Sequence, residues 1–276
     1  MNAELQEKYD NLRKYLRELN SLAVAFSGGA DSTFLLKAAH DTLGGNVIAV
    51  TASSSMFPRR ELEAAEEFCR RENILQVVFA AEEFSVEGFR QNPQNRCYIC
   101  KRNILQKIIN IADNRGIKYV AEGSNLDDDG DYRPGRLAVA ELSVKSPLRH
   151  AKLKKTDIRE LSKELNLPTW NKPSMACLAS RIPYGEMISA EKLAKIDRAE
   201  QFLRDRGFCH VRVRVHGDNT ARLEVNPAEF SRLIRDNERR EIVAALKSCG
   251  FLYVALDLEG YRVGSMNEVF NSAGVS

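Results

Sequence analysis

The sequence predicts an α/β protein with a parallel sheet and flanking helices, followed by a small C-terminal α+β domain. Up to residue 187, short apolar runs of strand length alternate with segments of helical periodicity. This alternation is typical of right-handed βαβ units, which form parallel sheets. From Ile188 the order changes to a helix, two neighbouring strands and another helix. We therefore predict one domain over residues 1–187 and a second over residues 188–276.

The elements of the first domain follow in a regular order. An amphipathic helix begins the chain, and its many charges argue against a signal peptide. Ligands of parallel sheets bind at the carboxyl ends of the strands, so the turn after the first strand lies at the predicted binding edge. The predicted strands occupy residues 23–26, 46–53, 75–80 and 117–125, and predicted helices include 59–73, 103–116 and 155–168.

The second domain mixes short strands with helices. A helix over residues 190–207 leads to strands at 211–216 and 221–225, which turn residues join. A capped helix begins at Asn226, and residues 251–260 form a last strand. We expect this domain to contribute to substrate binding and to the formation of a homo-oligomer.

Composition limits the class of protein and its partners. A chain of 276 residues with 43% hydrophobic and 29% charged residues is typical of a soluble globular protein. No segment has transmembrane length, so we expect a cytoplasmic protein with no membrane partner. The net charge of +3 is small for a protein that neutralises a polynucleotide, which favours small anions over nucleic acid. Six cysteines in such a chain favour thiol chemistry or metal ligation over a disulfide framework.

The turn SGGADS, at residues 27–32, has the features of a phosphate-binding loop. Its glycines let backbone N–H groups approach an anion, and a helix N-terminus follows. It lacks the Gly-Lys-Ser/Thr ending of a Walker loop and the G-x-G-x-x-G pattern. It resembles the PP-loop of the ATP pyrophosphatase superfamily, whose members activate a carboxylate or carbonyl oxygen by adenylation. The resemblance implies that ATP binds Ser27, Gly28, Gly29, Asp31 and Ser32, and that Asp31 helps to hold Mg²⁺.

Two further segments resemble parts of that superfamily. The loop EGSNLDDDGDYRPG (122–135) offers carboxylates for magnesium and Arg133 for an anion, although such an acidic loop is equally typical of a solvated surface. In residues 146–168, Lys155 matches the position of a lysine that reaches the phosphates. The candidate carboxylates are Asp127, Asp128 and Asp131.

The cysteines fall into two groups. The motif CYIC places Cys97 and Cys100 at the start of a helix, with the spacing of metal or cluster ligands, and Cys177 follows the nucleotide domain. A structural zinc ion would require a fourth ligand that the sequence does not indicate, whereas a [4Fe-4S] cluster can be held by three cysteines. A C-x-x-C motif without any ligand is the alternative. The other three, Cys69, Cys209 and Cys249, have the surroundings of small apolar residues.

Four motifs together resemble the LarE family of ATP-dependent sulfur transferases: DYRPG, WNKPSMACLASRIPYG, VRVRVH and LEGYRVGSMN. The resemblance implies adenylation of pyridinium-3,5-biscarboxylic acid mononucleotide and its conversion to thiocarboxylates, for the nickel-pincer nucleotide cofactor of lactate racemase. Some members sacrifice the sulfur of the cysteine that matches Cys177, and those members lack the C-x-x-C motif. Cys97 and Cys100 favour the branch in which a [4Fe-4S] cluster carries sulfide, from a donor that the sequence does not identify. The implied catalytic residues are Cys97, Cys100, Cys177 and Asp31.

Substrate residues are expected in the second half of the chain. Period-two alternation in VRVRVH puts Arg212 and Arg214 on one face, where two guanidiniums can grip a phosphate. The strand alone is also typical of a solvated sheet face, and the family resemblance favours the anionic nucleotide. The resemblance adds Ser180 and Arg181 on the substrate side, and Glu200 or Glu224 as ligands of a second metal.

Two other functions fit parts of this pattern. A tRNA thiolase of the same superfamily would also combine a PP-loop with cysteine-bound clusters, but the small net charge argues against it. A non-catalytic sensor that binds a nucleotide and a cluster would bind ATP without releasing pyrophosphate.

Overall fold

The computed structural model describes residues 2–130, 134–173, 175–262 and 264–268. The chain divides into two compact units. The first comprises Met1–Phe89 and Asn95–Met175, and the second comprises Arg90–Gln94 and Ala176–Ser276. Within the described residues, every helix is too short or too polar to cross a lipid bilayer.

The first unit contains a four-stranded parallel sheet with the order β3-β2-β1-β4. The α/β fold predicted from the alternating pattern is therefore confirmed. Buried apolar runs make β1 and β2 the central strands, and Leu22 of β1 pairs with Val47 of β2. The strands are β1 (Leu22–Ala25), β2 (Val47–Ser53), β3 (Leu75–Ala80) and β4 (Val120–Ala121).

Helices cover both faces of this sheet. Because side chains alternate along a strand, Leu22 and Val24 enter one core, with residues of α1, α2 and α7, while Ala23 enters another, with residues of α4. The helices are α1 (Ala3–Leu19), α2 (Ala30–Leu43), α3 (Arg59–Arg71), α4 (Arg96–Asp113), α5 (Gly135–Glu141), α6 (Pro147–His150) and α7 (Lys155–Glu164).

Two boundaries differ from the sequence prediction near the binding edge. The strand predicted over residues 117–125 contains only Val120 and Ala121, because Glu122 then turns to accept hydrogen bonds from the backbone N–H and the hydroxyl of Ser124. Helix α4 begins at Arg96, before the predicted residue 103, so that the C-x-x-C motif lies in its first turns.

The second unit contains a small mixed sheet with the order β5-β6-β7, antiparallel between β5 and β6 and parallel between β6 and β7. The side-chain amide of Asn92 donates to the carbonyls of Ile182 and Pro183, which ties residues 90–94 to this unit. Residues 176–187, which the sequence prediction assigns to the first domain, also belong to it. Its elements are α8 (Ala190–Asp205), β5 (Arg212–His216), β6 (Thr220–Glu224), α9 (Phe230–Leu233), α10 (Asp236–Ser248) and β7 (Tyr253–Leu256).

Candidate active site

The turn between β1 and α2 is tight and depends on a glycine. Gly28 has a φ of +69°, in the left-handed region that favours glycine. A Cβ atom there would lie 3.2 Å from the Cβ of Ala65 and 3.4 Å from the carbonyl oxygen of Glu61, both in α3. Gly29 caps the N-terminus of α2. The loop is therefore pressed against α3 and has no room for another side chain at this position.

Two serine hydroxyls lie at the start of α2. The Oγ atoms of Ser27 and Ser32 are 3.1 Å apart, and the Ser32 hydroxyl also donates to the Gly29 carbonyl over 3.1 Å. A Cβ atom at Gly123 would lie 3.0 Å from the Ser32 nitrogen, so the chain after β4 approaches the start of α2 closely. The hydroxyls and the N-terminal N–H groups of α2 together make a setting for phosphate oxygens.

This loop opens on a cavity of about 620 Å³ at the carboxyl ends of the strands, within the usual range for small-molecule sites. Its polar wall includes Ser27, Gly29, Asp31 and Ser32, as well as Thr51 and Ser53 of β2. Its apolar wall is formed by Val50, Leu62, Ile104, Leu105 and Ile108. One polar and one apolar wall suit a ligand with a charged end and a flat, less polar end.

Asp31 and Lys155 form an ion pair at this loop. The Nζ atom of Lys155 lies 2.7 Å from each carboxylate oxygen of Asp31, and the Lys155 backbone N–H donates to the carboxylate of Asp127 over 2.7 Å. Burial raises the pKa of Asp31 above its usual value, although Lys155 opposes that rise. The structure thus brings together residues that the sequence assigns to phosphate and magnesium. Asp128 lines the cavity, whereas Asp131 and Arg133 lie outside the described residues.

Two lysines that the sequence analysis did not identify also meet this site. The Nζ atom of Lys101 lies 2.9 Å from the buried carboxylate of Glu122 in the cavity wall. Burial alone would raise the pKa of Glu122, but the Lys101 charge and its hydrogen bonds lower it below its usual value. Lys172 donates to the Gly28 carbonyl over 2.9 Å and pairs with Glu61 at 2.6 Å. Their only sequence signals are their places beside CYIC and within WNKPS.

The three candidate cluster ligands are in different units. Cys97 is exposed and Cys100 half-buried in the first unit, and their spacing puts both on one face of α4. Cys177 is half-buried in the second unit, at the start of a 3-10 turn over Leu178–Arg181. No group of three or more His, Cys, Asp or Glu side chains suited to a metal ion occurs in the part of the chain that the structure describes.

The arginines of the second unit are in unlike surroundings. Val213 and Val215 are buried, as the alternation of β5 predicts, but Arg214 is buried as well. Its guanidinium makes a bidentate contact with Glu224, so the two arginines of β5 are not an open pair. Arg181 is paired with Glu200 in the same way, and its Nη1 atom donates to the Ser180 hydroxyl.

Arg212 differs from these two arginines in its neighbours. Its guanidinium lies over the ring of Tyr261, with the Cζ atom 5.0 Å from the ring centroid. Among the described residues, no carboxylate oxygen lies within ion-pair distance of it. Burial, followed by the charge of Arg181, lowers its pKa from the usual value for arginine. A half-buried cation in such surroundings suits an anionic ligand.

Fold and site together define a class of protein. A parallel sheet whose first strand leads through a glycine and serine loop into a helix, beside a nucleotide-sized cavity, is the arrangement of the adenine nucleotide alpha hydrolase superfamily. A partial match agrees with this class. The chain is 25% identical over 175 residues to part of the glutamine-hydrolysing GMP synthase of Thermoplasma volcanium, over 58% of this chain and 55% of that polypeptide.

Full-length relatives narrow this class to a family. The chain is 37% identical over 272 residues to the pyridinium-3,5-bisthiocarboxylic acid mononucleotide synthase of Lactiplantibacillus plantarum, with 98% of each chain covered. It is 41% identical over 265 residues to the uncharacterized protein slr1717 of Synechocystis sp., over 96% of this chain and 98% of that protein. No protein-family model matches the sequence. The chain belongs to the LarE family, as the sequence resemblance predicts.

The geometry of Gly28 yields a first prediction. Gly28→Ala should destabilise the protein by about 1–2 kcal/mol because of its positive φ. It should also weaken ATP binding by about tenfold, the equivalent of about one charge-assisted hydrogen bond, because the loop must move away from α3. Urea unfolding and calorimetric ATP titration measure the two effects.

Gly44→Ala is the matched control. Gly44 has a φ of +59°, but a Cβ atom there would meet nothing within 4 Å, at the opposite end of α2. It should lose similar stability and keep its ATP affinity. Equal ATP affinities in the two variants would contradict the placement of the phosphates at Gly28.

Proposed function

We propose that this chain is an ATP-dependent sulfur transferase that acts on pyridinium-3,5-biscarboxylic acid mononucleotide. It adenylates a carboxylate of that substrate, releases pyrophosphate and converts the carboxylate into a thiocarboxylate for a nickel-pincer nucleotide. The similarity to the Lactiplantibacillus synthase over nearly the whole chain supports the substrate. The observation that carries the proposal is the Asp31–Lys155 pair at the glycine loop, which opens on a cavity of nucleotide size.

Adenylation explains the need for ATP. A carboxylate is a poor electrophile because it is anionic and resonance-stabilised, whereas an acyl adenylate has AMP as its leaving group. The carboxylate oxygen attacks the α-phosphorus, the bond to the β-phosphate oxygen breaks, and pyrophosphate leaves. Donors that are already oriented toward the phosphates stabilise the charge that develops on them.

The residues of the loop divide this work. The N-terminal N–H groups of α2 and the hydroxyls of Ser27 and Ser32 bind phosphate oxygens, and Lys155 adds positive charge to the pyrophosphate. Gly28 and Gly29 let the backbone approach. The carboxylate of Asp31 is of the kind that holds Mg²⁺, and a bound Mg²⁺ would neutralise the leaving pyrophosphate.

We further propose that Cys97, Cys100 and Cys177 hold a [4Fe-4S] cluster. When bound, the cluster would supply the sulfide that displaces AMP from the activated carbon. Two observations suit this role: Cys97 and Cys100 share a face of α4, and both have access to solvent. By contrast, burial raises the pKa of Cys69 to about 12, which leaves an inert thiol.

Substrate recognition falls to the second unit in this proposal. Because no described carboxylate pairs with Arg212, we assign its guanidinium to the phosphate of the mononucleotide. The Ser180 hydroxyl and Arg133 are proposed as further substrate contacts. Arg214 and Arg181, which are paired with carboxylates, would contribute positive potential.

The adenylation step has a direct test in Asp31. Asp31→Ala should abolish ATP-dependent pyrophosphate release, measured with a coupled pyrophosphatase assay, and leave the circular dichroism spectrum unchanged. Asp41→Ala is the control, because Asp41 lies near the other end of the same helix, where it pairs with Lys37. Wild-type release by Asp31→Ala would remove the assignment, and ATP binding without release by the wild type would indicate a sensor.

The sulfur step is tested by iron content. Anaerobically prepared protein should contain about four irons per chain, and replacing Cys97, Cys100 or Cys177 by Ala should lower that content and stop sulfur transfer. Cys209→Ala, a change at an exposed cysteine, should have neither effect. If Cys177 instead lost the mass of hydrogen sulfide in step with product, in protein with a full cluster, the cluster route would be wrong.

Arg212 gives a prediction for the substrate alone. Arg212→Ala should weaken binding of the mononucleotide by about 1–3 kcal/mol, the range for a lost hydrogen bond to a charged group, and leave ATP affinity unchanged. Arg240→Ala, at an exposed arginine of α10, serves as the control for charge. Calorimetric titration with each ligand measures both affinities. Equal losses for ATP and substrate would contradict the assignment.

A further inference from the structure

Two buried ion pairs of the second unit meet the backbone around Cys177. We refer to residues 176–181 as the Cys177 segment. Arg181 and Glu200 are both 0% exposed, and Arg214 and Glu224 are 5% and 0% exposed. Each guanidinium contacts its carboxylate through two nitrogens. What these pairs hold is the basis of the inference.

Arg181 binds the segment that contains it. Its Nη1 atom donates to the carbonyl oxygen of Ala176 over 2.6 Å and to that of Cys177 over 2.9 Å. Its Nε and Nη2 atoms donate to the two Glu200 oxygens over 2.8 and 3.0 Å. The planar guanidinium thus fixes the two carbonyls on either side of the Cys177 amide relative to α8, which carries Glu200.

Arg214 holds the other end of the segment. Its Nη1 atom donates to the Ser180 carbonyl over 2.8 Å, while Nε and Nη2 bind Glu224 over 2.9 and 2.7 Å. Arg214 and Glu224 are on neighbouring strands, β5 and β6. The Cys177 segment is therefore attached through carbonyls at both ends to regular elements of its own unit.

The oxygens of both glutamates are already used. Glu200 also accepts from Arg204 over 2.5 Å and from the Val213 N–H over 3.1 Å. Glu224 also accepts from Arg222 over 3.1 Å and from the Ser265 hydroxyl. Buried ion pairs contribute little to stability compared with apolar residues of similar volume, so their value lies in the geometry that they impose.

We propose that Arg181 and Arg214, neutralised by Glu200 and Glu224, are positioning residues that fix the backbone of the Cys177 segment for sulfur transfer. The two glutamates are counter-charges and not ligands of a second metal. The role in transfer rests on the proposed function, whereas the fixing of the segment does not.

The test compares two lysine variants that touch the same carboxylate. In Arg181→Lys the charge remains, but one ammonium cannot serve both Glu200 oxygens and two carbonyls. Arg204→Lys alters a partner of Glu200 that has no contact with the Cys177 segment among the described residues. We expect Arg181→Lys to lower kcat for sulfur transfer by about tenfold with KM for the mononucleotide and pyrophosphate release nearly unchanged. Arg204→Lys should match the wild type.

A second readout is independent of catalysis. Cys177 and the exposed Cys209 are in the same unit, so the ratio of their alkylation rates with iodoacetamide, followed by mass spectrometry in iron-free protein, reports on the Cys177 segment. The ratio should change several-fold in Arg181→Lys and stay constant in Arg204→Lys. If the wild type transfers no sulfur, the proposed function fails while this ratio still tests the positioning. An unchanged ratio in Arg181→Lys would overturn the proposal.

A further variant covers the case in which Arg181→Lys does not fold. The double change Arg181→Met with Glu200→Met removes both charges and roughly conserves volume, so a folded protein is expected. It should show the same loss of kcat and the same change in the alkylation ratio. Binding of Mn²⁺, measured by equilibrium dialysis, should be the same in this variant and the wild type. Loss of Mn²⁺ binding, or a wild-type kcat, would overturn the proposal.

Discussion

The close approach of the β1–α2 turn to its neighbours is the constraint on which the site depends. Gly28 fits against α3, and Gly123 fits against the start of α2, in both cases at distances that exclude a Cβ atom without displacement. Because β1 is flanked by β2 and β4 in a parallel sheet, the carboxyl ends of all three meet at this turn. The cavity, the N-terminal N–H groups of α2 and the carboxylates that follow β4 are consequences of that arrangement.

Around this turn, every lysine described above has a carboxylate partner. Lys155 pairs with Asp31 at 2.7 Å, Lys101 with Glu122 at 2.9 Å, and Lys172 with Glu61 at 2.6 Å. Such pairs keep the site close to neutral before an anion arrives, and they hold long side chains in defined places at little cost in stability. Binding of a polyphosphate then replaces one anionic partner by another, so that the lysines need not be recruited from solvent.

The sequence was sufficient for the sheet, the phosphate loop and the pairing of Asp31 with Lys155 at one edge, because apolar periodicity and loop position are local signals. It missed Lys172, whose partner carbonyl at Gly28 is distant in the chain. It also treated Arg214 as open to substrate, because period two tells which face a residue occupies but not whether another element covers that face. Glu224, across the β5–β6 pair, supplied the charge that the pattern could not reveal.

The fate of the carboxylate oxygen tests the central claim most directly. Substrate whose carboxylates carry ¹⁸O would be incubated with ATP and sulfide, and the phosphorus products analysed by mass spectrometry. If the carboxylate oxygen attacks the α-phosphorus and sulfide then expels the adenylate, AMP must contain one ¹⁸O atom for each sulfur incorporated, and pyrophosphate must contain none. Labelled phosphate together with ADP, or unlabelled AMP beside thiocarboxylate product, would contradict adenylation at this site.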